Sequence, residues 1–150
     1  MQWLALSFDE LSVAQLYQVM QLRSRVFVVE QDCVYNDLDG KDTQVGVVHL
    51  LGFGDDGQLH AYLRALPHGV SYPQVSIGRI VVDPSMRGLE LGKNLILQGI
   101  ELCQTQWPHQ DIKIGAQAHL KALYGAFGFE VDSPEYLEDG IPHVDMLLKR

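Results

Sequence analysis

Val75-Ser76-Ile77-Gly78-Arg79-Ile80-Val81-Val82-Asp83-Pro84-Ser85-Met86-Arg87-Gly88-Leu89-Glu90-Leu91-Gly92-Lys93 is the segment from which the architecture follows. Val75 to Val82 is the most strand-like run in the chain, and Asp83-Pro84 ends it. Leu95, Ile96, Ile100, Leu102 and Cys103 then recur at helical spacing as far as Trp107-Pro108. The pattern is strand, proline turn, glycine-bearing loop, helix. A helix start presents unpaired backbone N–H groups and a partial positive charge, which together favour a phosphate or pyrophosphate. Gly88 and Gly92 let the backbone approach such a ligand, Arg87 adds a guanidinium and Lys93 a mobile ammonium. Two phosphate motifs are excluded. Gly88 to Asn94 is one residue short of a Walker A loop and carries Asn94 in place of the Mg²⁺-binding Ser or Thr. No G-x-G-x-x-G is present, and the strand falls too late to open a dinucleotide-binding fold.

Outward from this segment, elements alternate. Trp3 to Leu6 reads as a first strand. Ser12-Val13-Ala14-Gln15 reads as a capping box opening a helix, with Val13, Leu16, Tyr17, Met20 and Phe27 as its apolar stripe. The β-branched run Val26 to Val29 predicts the end of that helix. Glu30 to Asp42 holds five carboxylates and one lysine, the composition of a solvated polar loop. Val45 to Phe53 and Gln58 to Leu66, around Asp55-Asp56-Gly57, predict a β-hairpin. Ile112 to Ala116 reads as a buried strand and His119 to Phe127 as a short helix with Gly128 at C′. Phe129 to Asp132 and His143 to Leu148 close the chain as strands. The order β-α-β-β-β-α-β-α-β-β indicates a single α/β domain over residues 1–150, one sheet with helices against its faces.

Composition bounds the partners. The 150 residues suit one domain with a real core, at 47% hydrophobic and 20% charged. A formal net charge of −8 argues against a nucleic-acid backbone or an anionic membrane as main partner. No apolar run approaches a membrane span, and Met1 to Glu10 lacks the pattern of a signal peptide. Cys33 and Cys103, without a C-x-x-C, read as reduced thiols and the protein as cytoplasmic. Cys103 falls on the apolar side of a helix, and Cys33 falls in the polar loop, where it could be exposed. The six histidines form no H-x-x-H, H-E-x-x-H or Cys/His cluster and the acidic loop no EF-hand, so no metal is expected.

Ile80 to Gly92 resembles motif A of the GNAT N-acetyltransferases, in which an Arg/Gln-x-x-Gly-x-Gly/Ala loop wraps the pyrophosphate of acetyl-CoA. Arg87, Leu91 and Gly92 match, and Glu90 stands at the usual first glycine. Gln117-Ala118-His119-Leu120-Lys121-Ala122-Leu123-Tyr124-Gly125-Ala126-Phe127-Gly128-Phe129 is similar to the family's Asn-x-x-Ala-x-x-Leu-Tyr-x-x-x-Gly-Phe. Here Tyr124, Gly128 and Phe129 are in register. Arg23 to Gln31, then Tyr35, Asp39 and Asp42, together with Asp139-Gly140-Ile141-Pro142-His143, resemble the ElaA-like branch. The resemblance covers almost the whole chain. It implies a three-layer α/β fold, with a mixed, mostly antiparallel sheet of about seven strands and helices on both faces.

The resemblance also implies a chemistry. The fourth and fifth strands splay, and the pantetheine arm of acetyl-CoA enters between them along the backbone of Ile80 and Val82. An N–H near Val81 or Val82 polarises the thioester carbonyl. Arg87, Gly88, Leu89, Glu90, Leu91, Gly92 and Lys93 would hold the pyrophosphate, and Gln117 and Tyr124 complete the cofactor site. A primary amine of a small molecule or peptide attacks the thioester directly. Tyr124 stands where the family places the phenol that protonates the departing sulfur. The base stays open among Glu30, His49, His119, His143 and a water relay, with His119 preferred for its place just after the fifth strand. His49 and His143 equally fit structural histidines. Arg23, Tyr35, Arg79 and His143 are the expected acceptor-binding residues, and Arg64 and Arg79 either orient an acidic group or brace the acidic loop. A non-catalytic acyl-CoA sensor, an acyltransferase using longer acyl-CoA, and either a monomer or a homodimer remain compatible.

Overall fold

In the computed structural model, residues 1–88 and 90–150 are described; Leu89, expected in the pyrophosphate loop, lies outside the described residues. Eight strands form one sheet: β1 (Gln2–Ser7), β2 (Val48–Phe53), β3 (Leu59–Leu66), β4 (Val75–Val82), β5 (Ile112–Gln117), β6 (Glu130–Val131), β7 (Tyr136–Glu138) and β8 (Ile141–Leu148). Their order is β1-β2-β3-β4-β5-β8-β6, with β7 also paired to β8. All neighbours run antiparallel except β4 and β5, which are parallel. The eighth strand is β7, which the sequence reading passed over. It pairs with β8 through a turn at Asp139-Gly140, both at positive φ (51° and 78°), the geometry an Asp-Gly hairpin requires.

Helices lie against both faces. The 16-residue α2 (Leu91–Gln106) packs on the β2, β3 and β4 side chains Leu50, Leu63 and Ile77. It approaches so closely at Gly99 that a Cβ there would fall 2.6 Å from Leu63 Cδ2. The short α3 (Lys121–Gly125) adds Tyr124 to the same core, and Gly128 follows at φ 98°. On the opposite face α1 (Val13–Arg23) opens on the expected Ser12–Gln15 capping box and covers Leu51, Tyr62 and Val81.

Two expectations about α1 are corrected. Its buried face is Val19, Leu22 and Arg23, continued by Val26, whereas Val13 is 87% exposed and Tyr17 also faces outward. The chain does not leave the helix at Val26 either. Ser24–Glu30 continues as a π-helical turn, with Gln31 N–H donating to the Val26 carbonyl at 3.1 Å and Cys33 N–H to Val28 at 3.1 Å. The wider i→i+5 spacing follows α1 and keeps Val26 and Phe27 on the core. Both thiols are unpaired and buried, Cys33 included, whose Sγ donates to the Asp139 carbonyl at 3.5 Å. Among the described residues no helix is long and apolar enough to cross a membrane, and no group of three or more His, Cys, Asp or Glu could hold a metal ion.

Candidate active site

Strands β4 and β5 pair only at Val75–Ile112 and Ser76–Lys113 and then separate. The separation begins where β4 carries a bulge. Tyr62 and Arg64 of β3 stand opposite Val81 and Gly78, so β4 has one residue more than its partner over this interval. Arg79, within the bulge, takes a left-handed φ of 52°. A bulge bends its strand and re-aims the side chain it carries. The gap opens a cavity of about 620 Å³ between the two strands.

Backbone direction along β4 follows from one bond. Asp83 N–H donates to the His60 carbonyl at 2.8 Å, toward β3. Alternation then turns Val81 toward β3, and Val82 and Ile80 toward the gap. Apart from a long contact of Arg87 Nη2 with the Val82 carbonyl at 3.5 Å, their amide and carbonyl groups have no strand partner among the described residues, the arrangement an extended ligand can extend by strand-like hydrogen bonds. Val81, offered with Val82 as an oxyanion donor, has its side chain in the α1 core and its backbone facing β3. Val82 is the one of the two directed to the gap.

Beyond β4 the chain reaches α2 without a side-chain cap, and Asn94 N–H is bonded to the Glu90 carbonyl at 3.1 Å. The amides of Leu91, Gly92 and Lys93 precede that first helical bond and lack intrahelical partners. Leu91 is buried, so only its backbone can meet a ligand. Glu90 adopts φ 62° in the position where the motif has glycine. Its side chain is 79% exposed and 3.6 Å from Lys93 Nζ, so the carboxylate turns to solvent. Arg87 is engaged by Glu30, with Nη1–Oε2 at 2.7 Å and Nη2–Oε1 at 2.6 Å. This pair holds the Glu30 carboxyl below its usual range. None of Arg87, Gly88 or residues 90–93 lines the cavity, and they lie at the far end of β4 from the point where the strands part.

Tyr124 lines the cavity and is buried, edge-on to Phe129 at 6.1 Å between ring centroids. Its hydroxyl has no hydrogen-bond partner among the described residues, and burial pushes the phenol up to about 12. Gln117 and His143, paired across β5 and β8, line the same space. His143 Nδ1 lies 2.7 Å from the Ile141 carbonyl, which can only accept, so in the neutral ring Nδ1 carries the proton and Nε2 the lone pair. Glu138 Oε2 is 3.5 Å from that Nε2. Ile80, Tyr35 and Arg79 also line the cavity, and so do Gln31, Tyr72 and Glu138, which the sequence reading did not single out. The Asp139-Gly140 turn was the available signal for Glu138, since a hairpin there sets it opposite Ile141, two residues before His143.

The remaining candidates are elsewhere. His119 is exposed and absent from the cavity wall. His49 is sealed in the interior: Nε2 donates to the Asp42 carbonyl at 3.0 Å and Nδ1 accepts from Tyr62 Oη at 2.7 Å. Burial lowers its pKa and keeps it neutral. Arg23, expected at the acceptor, is 0% exposed and belongs to an ionic network beneath the cavity. It donates from Nε to Asp37 Oδ2 at 3.0 Å and from Nη1 to Asp42 Oδ1 at 2.7 Å. Arg64 donates to Asp39 Oδ2 at 2.6 Å and Asp42 Oδ1 at 2.9 Å. Arg79 Nε lies 2.8 Å from Asp37 Oδ1, off the hydrogen-bond axis, and its Nη2 donates to Asp39 Oδ2 at 3.3 Å. Three arginines from α1, β3 and β4 thus bind three aspartates of the 31–42 loop. The acidic loop is folded down rather than solvated, and Arg64 and Arg79 brace it.

The family model described as the acetyltransferase (GNAT) domain matches residues 28–150. Protein ElaA of Escherichia coli (strain K12) is 44% identical over 145 residues, 97% of this chain and 94% of that protein. The crystal structure of Escherichia coli ElaA superposes with a TM-score of 0.92 at 42% identity, covering 99% of each chain. That of an acyl-CoA N-acyltransferase from Pseudomonas aeruginosa gives 0.92 at 40% identity, over 98% of this chain and 99% of the other. The chain belongs to the GNAT acetyltransferase family, whose members use acyl-CoA donors.

Proposed function

We propose that this protein transfers the acetyl group of acetyl-CoA to a primary amine of a small molecule or peptide by direct attack on the thioester. The observation that carries the reading is the Tyr124 hydroxyl, without a partner among the described residues, on the wall of a cleft that Ile80 of β4 also lines where β4 and β5 have parted. A pantetheine arm laid along β4 delivers its sulfur to the phenol, and the amides of residues 91–93 meet the pyrophosphate at the end of the strand. The ammonium first gives one proton to a base, the neutral amine nitrogen bonds to the carbonyl carbon, the C–S bond breaks as the sulfur takes the Tyr124 proton, and the nitrogen's second proton restores the Tyr124 phenol.

A phenol at about 12 is weak against a water-exposed thiol at roughly 8.5. Burial raises thiols too, as Cys103 shows by being pushed to about 12 through burial alone. Enclosure of the coenzyme A sulfur in the cleft narrows that difference. For the amine proton, His143 Nε2 is the cavity-lining imidazole with a free lone pair, and Glu138 beside it stabilises the imidazolium. Glu30, His49 and His119 lack that combination of access and freedom.

The test is a panel of amines and short peptides with acetyl-CoA, read by release of free thiol and by mass shift of the acceptor. Amine-dependent thiol release with acceptors gaining 42 Da supports the reading. Thiol release that no amine accelerates above background hydrolysis refutes it.

A further inference from the structure

Arg87 is the one guanidinium of the proposed pyrophosphate loop, and in the free protein both of its Nη atoms are taken. Glu30 accepts both hydrogen bonds through its two oxygens, at 2.7 and 2.6 Å, from an element 57 residues earlier in the chain. The planar fork of a guanidinium fits carboxylate and phosphate in the same bidentate manner. A diphosphate arriving at residues 87–93 therefore meets a donor already filled by an anion. If Glu30 stayed in place, a carboxylate would also stand against the incoming charge.

We infer that Glu30 is an internal stand-in for phosphate: its carboxylate occupies Arg87 in the free protein and is exchanged for the diphosphate of coenzyme A on binding. The inference rests on the acyl-CoA reading above and gives Glu30 a role in donor affinity instead of proton transfer. Other features agree with an exchangeable pair. Both side chains are part-exposed, at 46% and 39%, so neither is locked by packing. Among the described residues Glu30 has no other cationic partner. The ion pairs of Arg23 and Arg64 are by contrast multiply bonded, with both guanidinium groups buried.

The experiment is calorimetric titration of coenzyme A into the full-length protein, Glu30→Gln, Arg87→Gln and the double variant, with a thermal melt of each to verify folding. Glu30→Gln keeps the side-chain shape and removes the charge. It is expected to tighten coenzyme A by roughly three- to tenfold, and the gain is expected to vanish in the Arg87→Gln background. Unchanged or weaker binding by Glu30→Gln overturns the exchange. So does an equal gain in both backgrounds, because Glu30 then acts by direct repulsion without Arg87. Failure of all four proteins to bind coenzyme A overturns the acyl-CoA reading and the exchange with it.

Discussion

Arg64 Nη2 donates to Asp39 Oδ2 at 2.6 Å, joining the middle of β3 to the loop that walls the cleft. With Arg23 and Arg79 it converts a segment of high acidic charge into a fixed part of the cleft wall. Burial of Asp37 and Asp42 is possible because each meets two guanidinium groups. Removing one member leaves the buried carboxylates of Asp37 and Asp42 with fewer partners.

Arg23→Met is expected to destabilise the fold by about 3 kcal/mol, the low end of the range for breaking a buried ion pair, since Arg64 and Arg79 keep partial hold of the carboxylates. Urea unfolding measures it. A loss below about 1 kcal/mol would show that the network contributes little beyond packing.

Stability is expected to fall in two steps on acidification. Burial lowers the folded pKa of His49, so the unfolded chain takes up that proton first and stability declines as pH drops below the ordinary histidine value of about 6.5. Asp39 and Asp42 are held below the usual carboxylate range despite burial, by Arg64 for Asp39 and by Arg23 and Arg64 for Asp42. Their contribution is complete above about pH 4–5 and is lost as pH falls through their folded values. Thermal melts between pH 8 and 3 test this. His49→Gln should remove the upper step alone, and an upper step that survives the substitution would assign it to another group.

Tyr124→Phe is expected to lower turnover by about 10²–10⁴ while coenzyme A affinity stays within about twofold, because the ring still packs on Phe129. Steady-state rates and calorimetry read the two separately. Unaltered turnover would remove the phenol from the reaction.

Glu90→Gly is expected to stabilise the protein by about 0.5–1 kcal/mol. A non-glycine residue in the left-handed region costs roughly 1–2 kcal/mol, and the added freedom of glycine in the unfolded chain returns part of it. Chemical denaturation distinguishes this from a destabilising change, which would mean that the Glu90–Lys93 contact outweighs the backbone strain.

Local patterns were legible where a short run of residues suffices to specify the geometry. The Ser12–Gln15 capping box, the Asp55-Asp56-Gly57 hairpin, β4 from Val75 to Val82 and the α2 spacing all depend on neighbours in the chain. The α1 stripe was not legible, because the apolar Val13 and Tyr17 stay exposed while a charged residue takes a place on the buried face. Arg23, a charged residue on the buried face, was drawn to the acceptor site by its chemistry when its partners lay 14 and 19 residues away. For His49, His119 and His143 the sequence offers three equivalent imidazoles. Burial, exposure and a carbonyl at Nδ1 separate them.

The chain alone determined the order of elements apart from β7, and contiguous motifs carried the resemblance to the family that comparison then showed. Tertiary structure decided what contiguous motifs cannot carry. Strands β4 and β5 part at a bulge centred on Arg79, the acidic loop folds onto three arginines from three elements, and Glu30 reaches Arg87. These are pairings between residues far apart in sequence, set by which side chains the packed sheet brings within hydrogen-bonding distance.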